Sequence, residues 1–301
     1  AELDMSILLA GEFDAAGRAH WLGLLRAALP DETLVTEPTD ADSIDIAIVA
    51  NPPAGVLQGL PKLRLIQSLW AGVDRLLADT SIPPEVPLAR MVDPAMNEAM
   101  AETALWAVLS LQRDFVDYAA QQRERRWQQH PQRRADEVQV AVLGLGQMGR
   151  AVVRRLDANG YRVAGWSTRE GHLDELLAAS DIVVNLLPLT PITRGLFDSR
   201  RLAAMRRGAC LVNLARGAHV VEADLLAALD AGQLRHAVLD VFHSEPLPAD
   251  HPFWSHPRVT VLPHVAAQTD ARSAAALAAA NVKRWRTGEA VANLVDRARG
   301  Y

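Results

Sequence analysis

Three ionisable residues each follow an apolar segment in the second half of the chain. Arg216 comes after the segment 209–213, Glu245 after 236–240 and His264 after 258–262. Taken singly, each has an ordinary explanation as a surface cation, a loop acid or a capping histidine. Together they can form a reaction centre. A protonated histidine donates a proton near neutral pH, a neighbouring glutamate raises the pKa of that histidine, and an arginine binds a carboxylate through two parallel hydrogen bonds.

A second group of residues has the spacing of a dinucleotide-binding turn. An apolar segment, 138–143, precedes glycines at 144, 146 and 149, and a helical pattern follows over 150–159. In such a turn the first glycine lets the chain bend sharply, the second leaves room for a pyrophosphate, and the third lets the helix pack closely on the strand. The helix then offers its free N–H groups and the positive end of its dipole to the phosphates. We therefore predict a dinucleotide site at this turn.

Alternating strand and helix patterns position both groups of residues. From residue 138 onward six segments have strand character: 138–143, 162–166, 181–187, 209–213, 236–240 and 258–262. The first hundred residues alternate in the same way, with strands predicted at 6–10, 44–49 and 63–67 and a helix at 15–29. The pattern predicts an α/β protein of two parallel-sheet domains, Rossmann-like or flavodoxin-like, with the active site in the cleft between them.

The domain order is unusual because the glycine turn lies in the second sheet. Thr269–Arg272 has an N-cap signal, and an alanine-rich helix is predicted over 273–287, ended by Gly288. Nothing after it has the pattern of a new domain, so the last thirty or so residues are expected to return to the first sheet. We predict a discontinuous substrate-binding, catalytic domain, 1–98 with 271–301, and a dinucleotide-binding domain, 99–270.

These motifs, in this order and spacing, resemble the D-isomer-specific 2-hydroxyacid dehydrogenase family, and within it the glyoxylate/hydroxypyruvate reductases. The resemblance runs from Gly72-Val73-Asp74, through Ala101-Glu102, to Pro263-His264. It implies a catalytic triad of Arg216, Glu245 and His264. It also implies that Trp70, Ala71 and Gly72 bind the substrate carboxylate together with Arg216 and His264. The sequence departs from the commonest family pattern at Trp70, where many members have glycine.

The same resemblance implies a set of cofactor-binding residues, with Asp240 near the nicotinamide amide. They are Gly144, Gly146, Gln147, Met148, Ser167, Thr168, Arg169, Leu187, Pro188, Ala215 and Asp240. An NAD-selective fold has an acidic residue near the end of the second strand, where it accepts hydrogen bonds from the adenine ribose. Here that position holds Ser167, Thr168 and Arg169, so NADPH is predicted as the preferred reductant, with NADH possible.

Composition excludes several other classes of protein. Of the 301 residues, 50% are hydrophobic and 22% are charged, with a net charge of −5, which argues against nucleic acid as a partner. No apolar run is long enough to span a membrane, and the first residues are acidic, unlike a secretory signal. The single cysteine, Cys210, is predicted to be a buried core residue, and the histidines lack metal-ligand spacing, so no metal site is expected. A cytoplasmic protein is the expectation.

One predicted helix, 97–122, is apolar on more than one face. A helix with one face exposed to solvent does not need such a pattern, so the predicted helix is expected to be buried between domains or against a second subunit. We therefore predict a homodimer. Five arginines surround Trp127 in the segment that follows. They could bind nucleic acid, but a solvated or inter-subunit arm agrees better with the acidic chain.

The sequence thus predicts NAD(P)H-dependent reduction of small 2-oxo acids, such as glyoxylate and hydroxypyruvate, to 2-hydroxy acids. Hydride would come from nicotinamide C4 and the proton from His264. Two alternatives stay open. One is a dehydrogenase for a larger D-2-hydroxy acid. The other is a dinucleotide-sensing co-repressor or scaffold on the same fold.

Overall fold

Two parallel sheets, one in each half of the molecule, confirm the predicted α/β fold class. The computed structural model describes residues 5–169 and 171–300. The chain divides into two units, Ala1–Ala95 with Thr269–Tyr301, and Met96–Gln268. The boundaries predicted from the sequence lie after residues 98 and 270. Residues 1–4, whose acidic character argued against a secretory signal, lie outside the described ranges. No helix among the described residues has the length and apolarity needed to cross a bilayer.

The first unit contains a five-stranded, wholly parallel sheet. Its strands are β1 Ser6–Gly11, β2 Thr33–Val35, β3 Ile44–Ala50, β4 Leu65–Ser68 and β5 Leu88–Ala89. Its helices are α1 Ala15–Ala28, α2 Asp74–Ala78 and α9 Ala271–Arg286. The strand order is β2-β1-β3-β4-β5, which is the flavodoxin-like order. The sequence patterns did not reveal β2 and β5, because strands of two or three residues are too short to show a periodicity.

The C-terminal residues belong structurally to this first unit. Arg286, at the end of α9, forms ion pairs with Glu32, at 2.8 Å, and with Asp45. Beyond the helix, the backbone N–H of Val295 donates to the carbonyl of Leu88 at 2.8 Å. Ion pairs and a backbone hydrogen bond therefore both connect the C-terminal residues to the N-terminal part of the chain.

The second unit contains a six-stranded parallel sheet. Its strands are β6 Gln139–Leu143, β7 Arg162–Trp166, β8 Ile182–Asn185, β9 Ala209–Asn213, β10 Leu234–Leu239 and β11 Val259–Val261. Its helices are α3 Pro94–Gln112, α4 Phe115–Arg123, α5 Gln147–Ala158, α6 Leu173–Ala179, α7 Ser199–Ala204 and α8 Glu222–Asp230. The strand order, β11-β10-β9-β8-β6-β7, changes direction between β6 and β8. In open α/β sheets, ligands bind outside the carboxyl ends of the strands at such a point.

The three strands β8, β9 and β10 of this sheet are buried on both faces. Every residue of β8 and β9 is buried, and so is every residue of β10 except Arg235. A parallel sheet covered on two sides requires such continuous apolar runs in place of an alternating pattern. Cys210 lies within β9 and is buried, as predicted.

The predicted single helix 97–122 is wrong. The structure has two helices, α3 and α4, separated at Asp114, whose φ of 56° lies in the left-handed region. A left-handed residue cannot continue a right-handed helix. The Asp114 carboxylate is held at this break by Arg235 of β10, at 2.7 Å, and by His130, at 3.2 Å. Some apolar side chains of the two helices are nevertheless buried in the core, and others are exposed to solvent.

The arginine-rich segment after α4 carries acids beside its cations. Arg126 pairs with Glu124 at 3.2 Å, Arg133 pairs with Asp181 at 3.0 Å, and Arg134 pairs with Asp136. Such pairs neutralise the field that a nucleic-acid phosphate would meet. These contacts favour the interpretation of the segment as a solvated or inter-subunit arm.

The glycine turn after β6 shows two different steric requirements. Gly144 has a φ of +100°, and a Cβ there would lie 2.6 Å from the carbonyl oxygen of Leu186. A Cβ on Gly149, in the first turn of α5, would lie 1.7 Å from the carbonyl oxygen of Gly144. Among the described residues, a Cβ on Gly146 would meet no atom within 4 Å. The fold itself therefore requires two of the three glycines, whereas the middle one leaves open space.

We expect Gly149→Ala to lower the free energy of unfolding by at least about 2 kcal/mol, because an overpacked contact outweighs the gain of about 1 kcal/mol that alanine brings to a helix. Urea unfolding measures this change. Gly146→Ala is the matched control, and its loss of N-cap preference costs about 0.5–1 kcal/mol. Equal losses in the two variants would contradict the steric argument.

Candidate active site

The loops after β10 and β11 bring two of the predicted catalytic residues together. The Nδ1 atom of His264 lies 2.6 Å from Oε2 of Glu245. Because an ionised carboxylate only accepts hydrogen bonds, Nδ1 carries the proton of this bond. Glu245 is fixed in turn by the backbone N–H of Phe242, which donates to Oε1 at 2.9 Å. The His264 side chain is 52% exposed, so its Nε2 atom can reach a bound molecule.

Asp240 fixes the backbone of the loop that carries His264. Its carboxylate accepts the N–H groups of Val265, at 2.7 Å, and Ala266, at 3.0 Å, and its carbonyl accepts the N–H of His264 at 2.9 Å. His264 has a φ of 54°, in the left-handed region that residues other than glycine rarely adopt. Three hydrogen bonds that Asp240 accepts therefore hold the histidine in an otherwise unfavourable conformation. Asp240 is predicted to bind the cofactor, and it also has this structural role.

The pKa values of the pair shift in opposite directions. The hydrogen bond to Glu245 raises the pKa of His264 above its ordinary value of 6.5, against the opposing effects of burial and the Arg216 charge. Burial alone would raise the pKa of Glu245. The hydrogen bonds from His264 and Phe242, with the nearby positive charges, outweigh burial and lower it. The pair therefore favours an ionised glutamate beside a protonated histidine.

Arg216 lies in the loop after β9, at the same edge of the sheet. Its positive charge contributes to the lowered pKa of Glu245 and opposes the raised pKa of His264. One guanidinium nitrogen, Nη1, donates to the carbonyl of Ala215 at 2.7 Å. The structure thus brings the three residues of the predicted triad to one edge, although their chain positions are far apart.

The glycine turn forms a cradle of a kind that fits a dinucleotide. Gly146 is the N-cap of α5, a helix of twelve residues, and no side chain of the part of the chain that the structure describes caps that end. Gln147 and Met148 form the first turn of this helix, where backbone N–H groups point outward. The open space at Gly146 and the positive end of the helix dipole together suit a pyrophosphate. The described residues here therefore fit the cofactor that the sequence predicts.

Ser167, Thr168 and Arg169 lie beside the glycine turn. They follow directly on β7, whose last residue, Trp166, accepts the N–H of Gly144 at 2.8 Å. Thr168 and Arg169 are exposed, and Ser167 is half-buried. Two hydroxyl groups and a guanidinium therefore lie next to the predicted phosphate cradle.

Leu187 and Pro188, in the loop after β8, flank the glycine turn on its other side. The backbone N–H of Leu186 donates to the carbonyl of Leu143 at 2.8 Å, and the Leu187 side chain is buried. Ala215, predicted to contact the cofactor, is also buried, in the loop after β9. Sequence reasoning missed the residues that join these two loops, Asn185, Asn213 and His219. The available signal was an asparagine at the last position of both strands.

Trp70, Ala71 and Gly72 lie in the first unit, in the bend after β4. The Trp70 N–H donates to Oγ of Ser68 at 3.0 Å, and the Trp70 carbonyl accepts the N–H of Met91 at 3.1 Å. The Trp70 ring packs edge-on against Trp21, with 6.0 Å between the ring centroids. The tryptophan that departs from the usual family pattern is therefore fixed by its own domain.

One cluster of possible metal ligands is occupied by a protein cation. Asp114, Asp117 and His130 bring ligand atoms within 4.8 Å of one another. Nη1 of Arg235 lies 2.7 Å from Asp114 and 3.2 Å from Asp117. The guanidinium supplies the positive charge that these two carboxylates need, so the cluster is explained by an ion pair that holds α4 to the sheet.

Comparison with known proteins agrees with this geometry. The model of the D-isomer specific 2-hydroxyacid dehydrogenase NAD binding domain matches residues 105–266. Among solved structures, a D-isomer specific 2-hydroxyacid dehydrogenase from Xanthobacter autotrophicus, in complex with NADPH and MES, is 37% identical, with a TM-score of 0.92 over 99% of this chain and 100% of that one.

Two further solved structures are similar over nearly their full lengths. An NADPH-dependent glyoxylate/hydroxypyruvate reductase from Sinorhizobium meliloti, with NADP and sulfate, is 31% identical, with a TM-score of 0.92 over 99% of this chain and 100% of that one. A probable 2-hydroxyacid dehydrogenase from Rhizobium etli, with NADP, HEPES and L(+)-tartaric acid, is 32% identical, with a TM-score of 0.90 over 98% and 99%. The chain described here belongs to the D-isomer specific 2-hydroxyacid dehydrogenase family.

Proposed function

We propose that the protein reduces small 2-oxo acids, with glyoxylate and hydroxypyruvate as the first candidates, to the corresponding 2-hydroxy acids. The observation that carries this proposal is the hydrogen bond of 2.6 Å between His264 and Glu245, at the sheet edge that also carries Arg216 and the glycine turn. An acid with a raised pKa beside a dinucleotide cradle suits the reduction of a carbonyl group. The Sinorhizobium meliloti relative, named a glyoxylate/hydroxypyruvate reductase, supports the choice of substrates.

In this proposal His264 is the general acid. Bound NADPH supplies the hydride, and the carbonyl oxygen of the substrate then needs a proton. Nδ1 of His264 is held by Glu245, so Nε2 is the atom that donates the proton. The negative charge of Glu245 stabilises the imidazolium before the transfer, and this favours the protonated form of the acid.

Arg216 is proposed to bind the substrate carboxylate and to polarise its carbonyl group. A guanidinium presents a planar fork that matches a carboxylate, which a lysine cannot do. Its positive charge also opposes a second positive charge on His264, so a bound carboxylate that neutralises Arg216 would favour the protonated histidine. Trp70, Ala71 and Gly72 are also proposed to bind the substrate carboxylate.

Turnover separates this proposal from its two alternatives. Purified protein is mixed with NADPH and a panel of glyoxylate, hydroxypyruvate and larger 2-oxo acids, and loss of NADPH absorbance is followed. Efficient turnover of the two small acids supports the proposal, and a preference for a bulkier acid supports a dehydrogenase for a larger D-2-hydroxy acid. Cofactor binding without turnover of any acid supports a dinucleotide-sensing scaffold.

We further propose that NADPH is the preferred reductant. Ser167, Thr168 and Arg169 carry no negative charge, and they lie beside the glycine turn. A 2′-phosphate there would be attracted by Arg169 and could accept hydrogen bonds from the hydroxyl groups, which are worth about 1.5–3 kcal/mol each where one partner is charged. The relatives from Xanthobacter autotrophicus, Sinorhizobium meliloti and Rhizobium etli were all solved with NADPH or NADP.

Apolar residues on α3, α4 and the following arm support a homodimer. Trp106 is 43% exposed, Phe115 is 49% exposed and Trp127 is 95% exposed, and Leu109 is exposed beside them. Large apolar groups concentrated in one short stretch of chain are typical of an interface. We propose that a second copy of the chain covers this surface.

The pH dependence of reduction provides a first test. Reduction needs His264 protonated, so kcat should fall as pH rises through the pKa of His264, which lies above 6.5. Glu245→Gln removes the charge that raises this pKa, so the fall should move to lower pH. His264→Ala should lower kcat by about two orders of magnitude or more and abolish this limb of the profile. An unmoved limb in Glu245→Gln would remove Glu245 from this role.

Cofactor choice provides a second test. We expect kcat/KM with NADPH to exceed that with NADH by at least about tenfold, the equivalent of about 1.4 kcal/mol. Ser167→Asp should shift the ratio toward NADH, because its carboxylate repels a 2′-phosphate and accepts hydrogen bonds from a ribose. Ser255→Asp, which adds the same charge at an exposed position after the short helix Pro252–Trp254, is the control. Equal efficiency of the two cofactors with the wild type would refute the proposal.

Sedimentation at micromolar protein tests the dimer. We expect about twice the chain mass of 32.7 kDa for the wild type. Leu109→Glu combined with Phe115→Glu should give the single mass, because a charge cannot be buried in an apolar interface without a partner. Ile192→Glu, at an apolar residue that is 80% exposed on a different loop, should leave the dimer intact. A wild type that sediments only as a monomer excludes this interface.

A further inference from the structure

Three polar side chains are buried beneath the proposed catalytic edge of the second sheet. Asn185 ends β8 and Asn213 ends β9, and the two residues are direct partners in the register of these strands. His219 follows in the loop after β9. All three residues are 0% exposed. Burial of polar groups lowers the stability of the fold unless they are hydrogen-bonded, so the hydrogen bonds of these side chains indicate their role.

The two asparagine side chains use all their hydrogen-bonding groups within the protein. Nδ2 of Asn185 donates to Oδ1 of Asn213 and to Nδ1 of His219, both at 3.0 Å. Oδ1 of Asn185 accepts the N–H of Leu187 at 3.3 Å. Oδ1 of Asn213 also accepts the N–H of Ala215 at 3.3 Å, and Nδ2 of Asn213 donates to the carbonyl of Arg216 at 2.9 Å.

The contacts of His219 define its tautomer. Nδ1 accepts a hydrogen bond from the Asn185 amide, so the proton of a neutral ring lies on Nε2. Nε2 is 3.3 Å from the carbonyl oxygen of Pro188, to which it donates. The same carbonyl accepts a second hydrogen bond, at 2.7 Å, from Oγ1 of Thr193. The imidazole is therefore a bridge between Asn185 and the loop after β8.

Together these bonds join two loops with different tasks. The loop after β8 contains Leu187 and Pro188, which are proposed to contact the cofactor. The loop after β9 contains Ala215 and Arg216, the second of which is proposed to bind the substrate. Backbone groups of all four residues are held by the three buried side chains. A shift of one loop would break bonds that also fix the other.

We propose that Asn185, Asn213 and His219 act as a positioning network that fixes Arg216 relative to the cofactor loop, so that substrate and nicotinamide are aligned by one set of buried hydrogen bonds. The network rests on the proposed function, because it acts through residues assigned to that reaction. None of the three side chains reaches the surface, so they act on the reaction only through Arg216 and the two loops.

Variants at the two ends of the network test it. Asn213→Leu removes both bonds to the Arg216 loop, and we expect KM for the 2-oxo acid to rise about tenfold, as for a lost buried hydrogen bond, with kcat also reduced. The Kd for NADPH should rise no more than about threefold, because the Pro188 bonds remain. His219→Phe removes one of two donors to Pro188, and we expect the Kd for NADPH to rise about fivefold.

The double variant distinguishes a network from independent contacts. If the two ends act through Asn185, the combined loss in kcat/KM should be close to the larger single loss and clearly below the product of the two. Losses that multiply would overturn the proposal, and so would unchanged kinetics in folded single variants. Should Asn213→Leu fail to fold, Asn213→Asp keeps the two acceptor contacts and loses only the donor to Arg216. The same rise in KM is then expected.

A matched control separates positioning from stability. His236→Phe removes another buried imidazole of the same sheet, one that lies 2.9 Å from Oγ1 of Thr260 near the beginning of β10. It should leave KM and the Kd for NADPH unchanged, even if the melting temperature falls. If the wild type reduces none of the acids tested, the proposed function fails. Titration with NADPH then tests the network proposal separately. The Kd of the double variant should match that of His219→Phe. A Kd increase equal to the product of the increases in the two single variants would contradict the network.

Discussion

Within the second unit, the loops that carry the candidate catalytic residues all leave the same edge of the parallel sheet, and backbone hydrogen bonds between neighbouring strand ends hold these loops in place. Leu214 donates to the carbonyl of Asn185, Asp240 to that of Asn213 and Leu262 to that of Leu239, at 2.9–3.2 Å. Each bond continues the strand ladder by one residue beyond the strand. Because buried N–H and C=O groups must be paired, this edge cannot rearrange one loop at a time. The positions of Arg216 and His264 are consequences of that constraint.

Electrostatics at this edge are tuned by a small number of contacts. The carboxylate of Glu245 is close to the His264 imidazole, whereas Asp240 turns both of its oxygens toward backbone N–H groups of the same loop. Two acids therefore act on one histidine in different ways. One sets its proton affinity, and the other sets its backbone conformation. Because Asp240 is buried and Glu245 is exposed, solvent screens the two contacts to different extents.

The sequence was most informative where a pattern has one physical cause. Apolar runs predicted the strands of the second sheet, and polar residues after them predicted which side chains share an edge. The helix 97–122 was wrong because an apolar pattern does not reveal a left-handed residue, and the break at Asp114 depends on Arg235, 121 positions away in sequence. Asn185 and Asn213 were missed for the same reason. An asparagine at a strand end is ordinary alone, and it gains meaning only when the register pairs it with another.

The glycine turn shows why a motif can predict a fold more strongly than a ligand. Gly144 and Gly149 are excluded from having a side chain by the protein's own carbonyl groups, those of Leu186 and Gly144, whether or not a dinucleotide binds. These two glycines are therefore evidence for the turn. Only Gly146 has no internal reason to lack a Cβ, since open space surrounds that position. The described residues do not require a glycine at position 146, which lies at the N-terminus of a helix without a side-chain cap among them. Gly146 is therefore the part of the motif that indicates a bound anion.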